Sequence, residues 1–302
     1  AAHWRPATVA TVERAVGLWL GWCTTRDRPM TLPDPNVIPT YVDWLIEIRG
    51  YAATTLTRDI GALAMFAQAI APDDDHGFLR DLARQCKQRE RQAPRPLADT
   101  RGRVRADSLE ALGRSLIADA EAKARPGIAT AIQYRDGLML VILARRAPRR
   151  RNLMAIRIGE ELRLDGRARL VFPPGSTKGG RRHELGLAAL RPDLEAWLER
   201  WRPIFGVPRD SGPMWPAQDG RALHPKTASR RIGDLTERHL GLRITMHGAR
   251  HALATTLSDH RTDGVAVAAT LLDHARKSTT AQTYVRRADA LAAQQRADTL
   301  LQ

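Results

Sequence analysis

Apolar residues recur at helical spacing along most of this chain, and that spacing gives way to strand spacing between residues 160 and 187. Within that stretch, Glu160–Leu164 (EELRL) and Arg169–Phe172 (RLVF) flank Asp165-Gly166, a pair that favours a hairpin turn. Pro173-Pro174-Gly175 opens a loop, and Thr177–Leu187 (TKGGRRHELGL) has the form of a turn followed by a returning strand. A chain patterned this way is expected to be mainly α with a small antiparallel β-sheet.

The first hundred residues show four amphipathic segments. Residues 8–24 place Val12, Val16, Trp19, Leu20 and Cys23 on one face, with Thr8 as the expected cap. A second segment (37–48) carries Tyr41, Trp44, Leu45 and Ile48 and ends at Gly50. A third starts at Thr54 or Thr55, carries Leu56, Ile60, Leu63, Met65, Phe66 and Ile70, and closes at Pro72. A fourth (77–91) ends on the basic run KQRERQ. Short connections predict a four-helix bundle, with Trp19, Trp22 and Trp44 as core rather than a ligand-stacking stripe. Lys87, Arg89, Arg91, Arg95, Arg101 and Arg103 follow, interrupted by Pro94 and Pro96, and Arg105 extends the series. We divide the chain into a helical unit (1–92), a basic linker (93–106) and a second unit (107–302).

In the second unit, residues 107–121 are expected to be a helix capped by Asp107 or Ser108, and 131–145 a buried helix. Pro148 breaks that helix, and another begins at Arg149-Arg150-Arg151 with Leu153, Met154 and Ile156 inward. Helices follow at 191–202 and 225–239, with Trp197, Trp201 and Trp215 as packing residues. The tail, 288–302, is an amphipathic helix whose leucines need a surface in its own domain or in a neighbouring subunit.

The charge balance is one-sided: 48 Lys and Arg against 33 Asp and Glu, a net +15. Such an excess, carried mostly by arginine, implies a polyanionic partner, with nucleic acid first. Only Cys23 and Cys86 are present, so a disulfide scaffold is not expected. With no apolar run of membrane-spanning length and no signal peptide, the expected setting is cytoplasmic, associated with the nucleoid, and without membrane contact.

Chemistry concentrates between Thr245 and Arg287. His247, Arg250 and His251 share one helical turn, His274 follows in an apolar run, and Tyr284 comes ten residues later. Breaking a phosphodiester with a protein hydroxyl requires a nucleophile, cations on the non-bridging oxygens and groups that move protons. Tyr284 suits the first role, Arg250 the second, and His247 and His274 the third. A second cation and an acid for the leaving oxygen must come from upstream. The arginine cluster at 149–151 and Lys178, beside Gly179-Gly180 at a hairpin tip, are the candidates.

The motifs HGARH, LLDH and TTAQTY resemble the C-terminal signature of the tyrosine recombinases, the phage integrase family. The element RRRNLMAIR resembles the one that bears that family's first arginine, which places it at Arg149. The hairpin TKGGRRHELGL resembles the one that bears its lysine, here Lys178, and the N-terminal bundle is similar to its core-binding domain. Three departures stand out. Asn152 replaces the usual Glu, Asp273 replaces the usual Gly before the histidine, and the interval from His274 to Tyr284 is one residue longer than the pattern. Leu153 alone sets the register of the arginine cluster, so Arg150 and Arg151 remain alternatives to Arg149.

The resemblance implies a site-specific recombinase or integrase of mobile DNA, cleaving through a 3′-phosphotyrosyl link with no metal, ATP or other cofactor. Arg149, Lys178, His247, Arg250, His274 and Tyr284 would be catalytic, with His251 and Asn152 supporting them. Lys87, Arg89, Arg91, Arg95, Arg101 and Arg103 would contact DNA. Double-stranded DNA is the implied partner, bound by a homotetramer on two sites, with accessory DNA-bending or directionality proteins. A catalytically inactive DNA-binding protein and a type IB topoisomerase-like enzyme are the competing readings. His247 and His251 have the i, i+4 spacing of a zinc pair, but Gly248 stands where a zinc peptidase needs Glu, and His183, His260 and His274 supply no recognisable third ligand.

Overall fold

The computed structural model describes residues 4–92, 104–177 and 180–260, together with Ala268 and Leu272. The chain forms two compact units, Ala1–Leu97 and Ala98–Gln302.

The first unit contains four helices: α1 (Pro6–Thr24), α2 (Ile38–Glu47), α3 (Ala53–Ile70) and α4 (Gly77–Gln92). α1 begins two residues before the expected Thr8 cap. Pro6 occupies its first turn, where a missing N–H leaves no bond unmade, and extended Arg5 is the cap residue. α3 likewise starts at Ala53, after extended Ala52, rather than at a threonine cap. Trp19 and Trp22 are buried and stack with ring centroids 5.4 Å apart, while Tyr41 meets Trp19 edge-on at 5.0 Å. Trp19, Trp22 and Tyr41 form the core of the bundle, and half-buried Trp44 packs against it, stacking on Tyr41 at 5.9 Å. A carboxylate lies inside: that of Asp59 is buried on α3 and accepts from Arg14 of α1 and from its neighbour Arg58.

The second unit is built on α5 (Ala106–Glu121) and α6 (Ile128–Arg145). These helices meet at Gly113 and Gly137. A Cβ on Gly113 would lie 2.7 Å from the Gly137 carbonyl oxygen, and one on Gly137 would lie 2.8 Å from that of Gly113. Along α6, Leu138 to Ala144 is buried throughout. α5 begins at Ala106, ahead of both expected cap residues, and its first amide is satisfied from far along the chain: Ala106 N donates to Thr256 Oγ1 at 2.9 Å. Val104 and Ala106 are already buried in the cores of this unit. Thr256→Val keeps the shape but strands that buried amide, so a loss of about 1–3 kcal/mol is expected. A lower denaturant midpoint at unchanged m value would show it.

A short helix, α7 (Arg150–Met154), leads into a three-stranded antiparallel sheet in the order β1 (Leu162–Arg163), β2 (Arg169–Phe172), β3 (His183–Gly186). Leu162 pairs with Leu170 and Leu170 with Leu185, so the three leucines line up on the buried face. β1 is shorter than the alternation EELRL predicts. Glu160 and Glu161 lie in a turn, where the Glu161 carboxylate accepts from the Arg157 amide at 3.0 Å. Gly166, at φ 67°, makes the β1–β2 turn that Asp165-Gly166 predicts. α8 (Arg191–Ala196) continues through a π turn (Trp197–Trp201) and a 3₁₀ turn (Arg202–Phe205). Trp197, Trp201 and Trp215 are all buried in the core. α9 (Pro225–Leu240) and α10 (Met246–His260) complete the described elements. Among the described residues no helix is long and apolar enough to cross a membrane.

Candidate active site

α10 begins at Thr245, whose Oγ1 accepts from the Gly248 amide at 3.0 Å in a helix N-cap. This sets the direction of the next residues. His247 and His251, one turn apart, meet edge to face with ring centroids 4.9 Å apart. His247 is exposed and His251 half-buried, while Arg250 points inward and is only 6% exposed.

The buried guanidinium of Arg250 is bound by backbone. Its Nη1 donates to the Ala147 carbonyl and its Nη2 to the Leu272 carbonyl, the latter at 2.6 Å. Ala147 closes α6 by donating its amide to the carbonyls of Ile142 and Leu143 at 3.2 and 3.1 Å. It does so at φ 41°, a left-handed conformation that costs a residue with a Cβ about 1–2 kcal/mol. Two residues later Arg149 is extended and half-buried, and its carbonyl accepts from the Leu153 amide at the start of α7. Arg150 and Arg151 are exposed, and Asn152 turns into the protein beside Leu153. Of the three arginines, Arg149 alone is half-buried, two residues beyond the turn that Arg250 holds through Ala147.

The hairpin is tied to the same corner. Arg146, half-buried at the end of α6, donates from Nε to the Gly186 carbonyl on β3 at 2.5 Å. Burial, then the neighbouring Arg145 charge, lower its affinity for its proton below the ordinary arginine range. At the tip of the hairpin, Gly180 donates to the Thr177 carbonyl at 3.3 Å, and Thr177 Oγ1 donates to the Arg181 carbonyl at 2.6 Å. Lys178 falls between these anchors and lies outside the described residues, as do His274 and Tyr284. Of the cations expected to contact DNA, Lys87 is exposed on α4; the side chains of Arg89 and Arg91, and all of Arg95, Arg101 and Arg103, lie outside the described residues.

His183 stacks on Phe172 across the β2–β3 pair, ring centroids 6.4 Å apart. Among the described residues no three His, Cys, Asp or Glu side chains are grouped to hold a metal ion. Sequence reasoning overlooked Ala147, Arg146 and Thr177. Each acts through a backbone carbonyl or a backbone angle, and neither leaves a mark in residue type or spacing.

The model of the phage integrase family matches residues 115–290, more than half of the chain, and that segment contains Arg149, Lys178, His247, Arg250, His274 and Tyr284. The chain belongs to the phage integrase family. It is by family a tyrosine site-specific recombinase. Among solved structures, a XerH site-specific recombinase in a post-cleavage complex with its palindromic difH substrate is 16% identical, with a TM-score of 0.55 over 89% of this chain and 74% of that one. XerA recombinase is 16% identical over 96% of this chain and 94% of its own, at a TM-score of 0.45. The XerH match shows a shared fold: mainly helical, with the small antiparallel sheet that the residue pattern predicts. Comparison with curated proteins gives no match.

Proposed function

We propose that this recombinase cleaves and rejoins duplex DNA through a 3′-phosphotyrosyl intermediate at Tyr284, without metal or ATP. One observation carries the reading. The Arg250 guanidinium is buried and bonded to the chain two residues before Arg149 and two residues before His274, so it joins the sequence neighbourhoods of three phosphate-binding candidates. A buried cation is worth more to a developing negative charge than a solvated one.

In the proposed reaction the Tyr284 oxygen forms a bond to the scissile phosphorus, and the bond from phosphorus to the 5′-oxygen breaks. The phenolic proton passes to His247, which stands exposed with His251 packed edge-on against it. Lys178 delivers a proton to the departing 5′-oxygen. Arg149 and Arg250 hold the non-bridging oxygens, His274 hydrogen-bonds the phosphate, and His251 and Asn152 orient their neighbours. The phosphotyrosine conserves the energy of the broken bond, so a 5′-hydroxyl from a second duplex can reverse the step. Residues 1–92 bind DNA, as does the catalytic unit 107–302, and the cations from Lys87 at the end of the first unit to Arg103 in the linker neutralise phosphates. The working assembly is a tetramer on two DNA sites, with accessory proteins setting direction and the 288–302 tail as a subunit contact.

The test compares wild type with Tyr284→Phe on a nicked suicide substrate carrying candidate sites, in EDTA. The expected result is a denaturant-resistant protein–DNA adduct from wild type and none from the variant. A shifted but never covalent complex on a verified site would instead favour an inactive DNA-binding protein. Relaxation of supercoiled DNA without strand exchange between sites would favour a topoisomerase-like enzyme.

A further inference from the structure

Arg250 enters the proposed chemistry through its charge, yet two of its N–H groups are engaged by the protein itself. The two carbonyls it holds are related in an unusual way. Ala147 stands two residues before Arg149, and Leu272 two residues before His274. In both cases the amide of the same residue is held by the preceding turn: Ala147 N by the last turn of α6, Leu272 N by the Ala268 carbonyl at 2.9 Å. Each residue is thus secured at its N–H by local structure and at its C=O by Arg250. Ala147, Leu272 and Ala268 are buried in one small apolar cluster with Leu253 and Ala254 of α10, so water does not replace these bonds.

At Ala147 the arrangement also fixes a direction. The residue is left-handed although it carries a Cβ, and the next residue, Pro148, is buried and has its own φ locked by its ring. With Ala147 anchored at both ends and Pro148 rigid, the route of the chain into Arg149 follows. We propose that Arg250 is a positioning residue as well as a phosphate ligand: its guanidinium braces the two chain segments that lead to Arg149 and to His274, and it holds Ala147 in its left-handed turn. This rests on the reading of Arg149 and His274 as phosphate-binding groups.

Two substitutions separate the brace from the charge. Arg250→Lys keeps the charge, but a single ammonium cannot reproduce the planar fork that reaches two carbonyls. Ala147→Gly makes the left-handed turn favourable without a brace. We would measure amide hydrogen exchange in the DNA-free protein, DNA affinity, and single-turnover adduct formation for both single variants and the double variant. The expected results are faster exchange at the Ala147 and Leu272 amides in Arg250→Lys and a slower adduct step with DNA affinity retained. Adding Ala147→Gly should then recover about ten-fold of the lost rate, the factor that corresponds to the left-handed preference of glycine over alanine.

If Arg250→Lys slows the adduct step while exchange at both amides stays as in wild type and Ala147→Gly recovers nothing, Arg250 acts at the phosphate alone. The brace is then overturned and the recombinase reading stands. If wild type forms no adduct while exchange responds as expected, the brace stands and the chemistry fails. Should Arg250→Lys not fold, Ala147→Val serves instead. A β-branched residue resists the left-handed turn, so a wild-type adduct rate in that variant would overturn the proposal.

Discussion

Arg250→Ala is expected to cut single-turnover strand cleavage by about 10²–10³-fold, the usual result of removing one group that stabilises a developing oxyanion. The same substitution is expected to destabilise the second unit by about 2–6 kcal/mol. On the proposed mechanism the rate loss follows from the missing charge at the phosphate. The stability loss has a separate cause: the carbonyls of Ala147 and Leu272 lose their donor in a cluster of alanine and leucine side chains. A buried acceptor left without a donor costs about 1–3 kcal/mol, and two such groups are created together. For a unit of this size each kilocalorie lowers Tm by about 2–4 °C, so calorimetry should show a fall of about 4–24 °C. An unchanged Tm would mean that water reaches the two carbonyls, and the packing described around Arg250 would be wrong.

The second large effect concerns the α5–α6 contact. Gly137→Ala is a case in which local and tertiary preferences disagree in sign. In an isolated helix the change favours folding by about 1 kcal/mol, because alanine is the better helix former. In this protein the new methyl would stand 2.8 Å from the Gly113 carbonyl oxygen and 3.0 Å from Leu116 Cβ. Neither atom belongs to the far end of a flexible side chain, so the helices must separate, and their separation opens the packing of Val141, Leu116 and Ile117 around them. We expect a net loss of about 1–3 kcal/mol for alanine and a larger one for Gly137→Leu. Because α6 ends at the Ala147 turn, slower cleavage at retained DNA affinity should accompany the loss of stability. A stabilised Gly137→Ala variant would show that helix propensity outweighs the crossing, and would sink the close-packing account.

Much of the architecture is legible from residue pattern alone, and the exceptions are instructive. Helical spacing locates the bundle helices and α5 and α9, since one face of each is buried against its own unit and burial imposes the 3.6-residue period, whereas α6, buried all round from Leu138 to Ala144, is marked by its unbroken apolar run. Strand alternation together with Asp165-Gly166 locates the β1–β2 hairpin. The helix starts are less well specified. Thr8, and Asp107 with Ser108, are good caps by residue type, yet the helices begin at Pro6 and Ala106. For α1 a proline in the first turn decides the boundary. For α5 the decisive bond comes from Thr256, 150 residues away.

The candidate site divides in the same way. Residue types and spacing alone pick out His247, Arg250 and His251 as one helical turn, and the run of three arginines before Leu153 as a cationic element. They leave open which of those arginines turns toward the protein, because a single leucine sets the register. Tertiary structure makes the distinction: Arg149 is half-buried and leads on from the turn that Arg250 holds, whereas Arg150 and Arg151 are exposed. It also decides that Ala147 is left-handed, that Arg250 bonds to the carbonyls of Ala147 and Leu272, and that Gly113 faces Gly137. Periodicity records which face of an element is buried, and so the amino-acid sequence by itself determined the elements and the chemical inventory. Backbone carbonyls are the same in every residue, and contacts between distant segments leave no period, so only the folded chain could decide how that inventory is held.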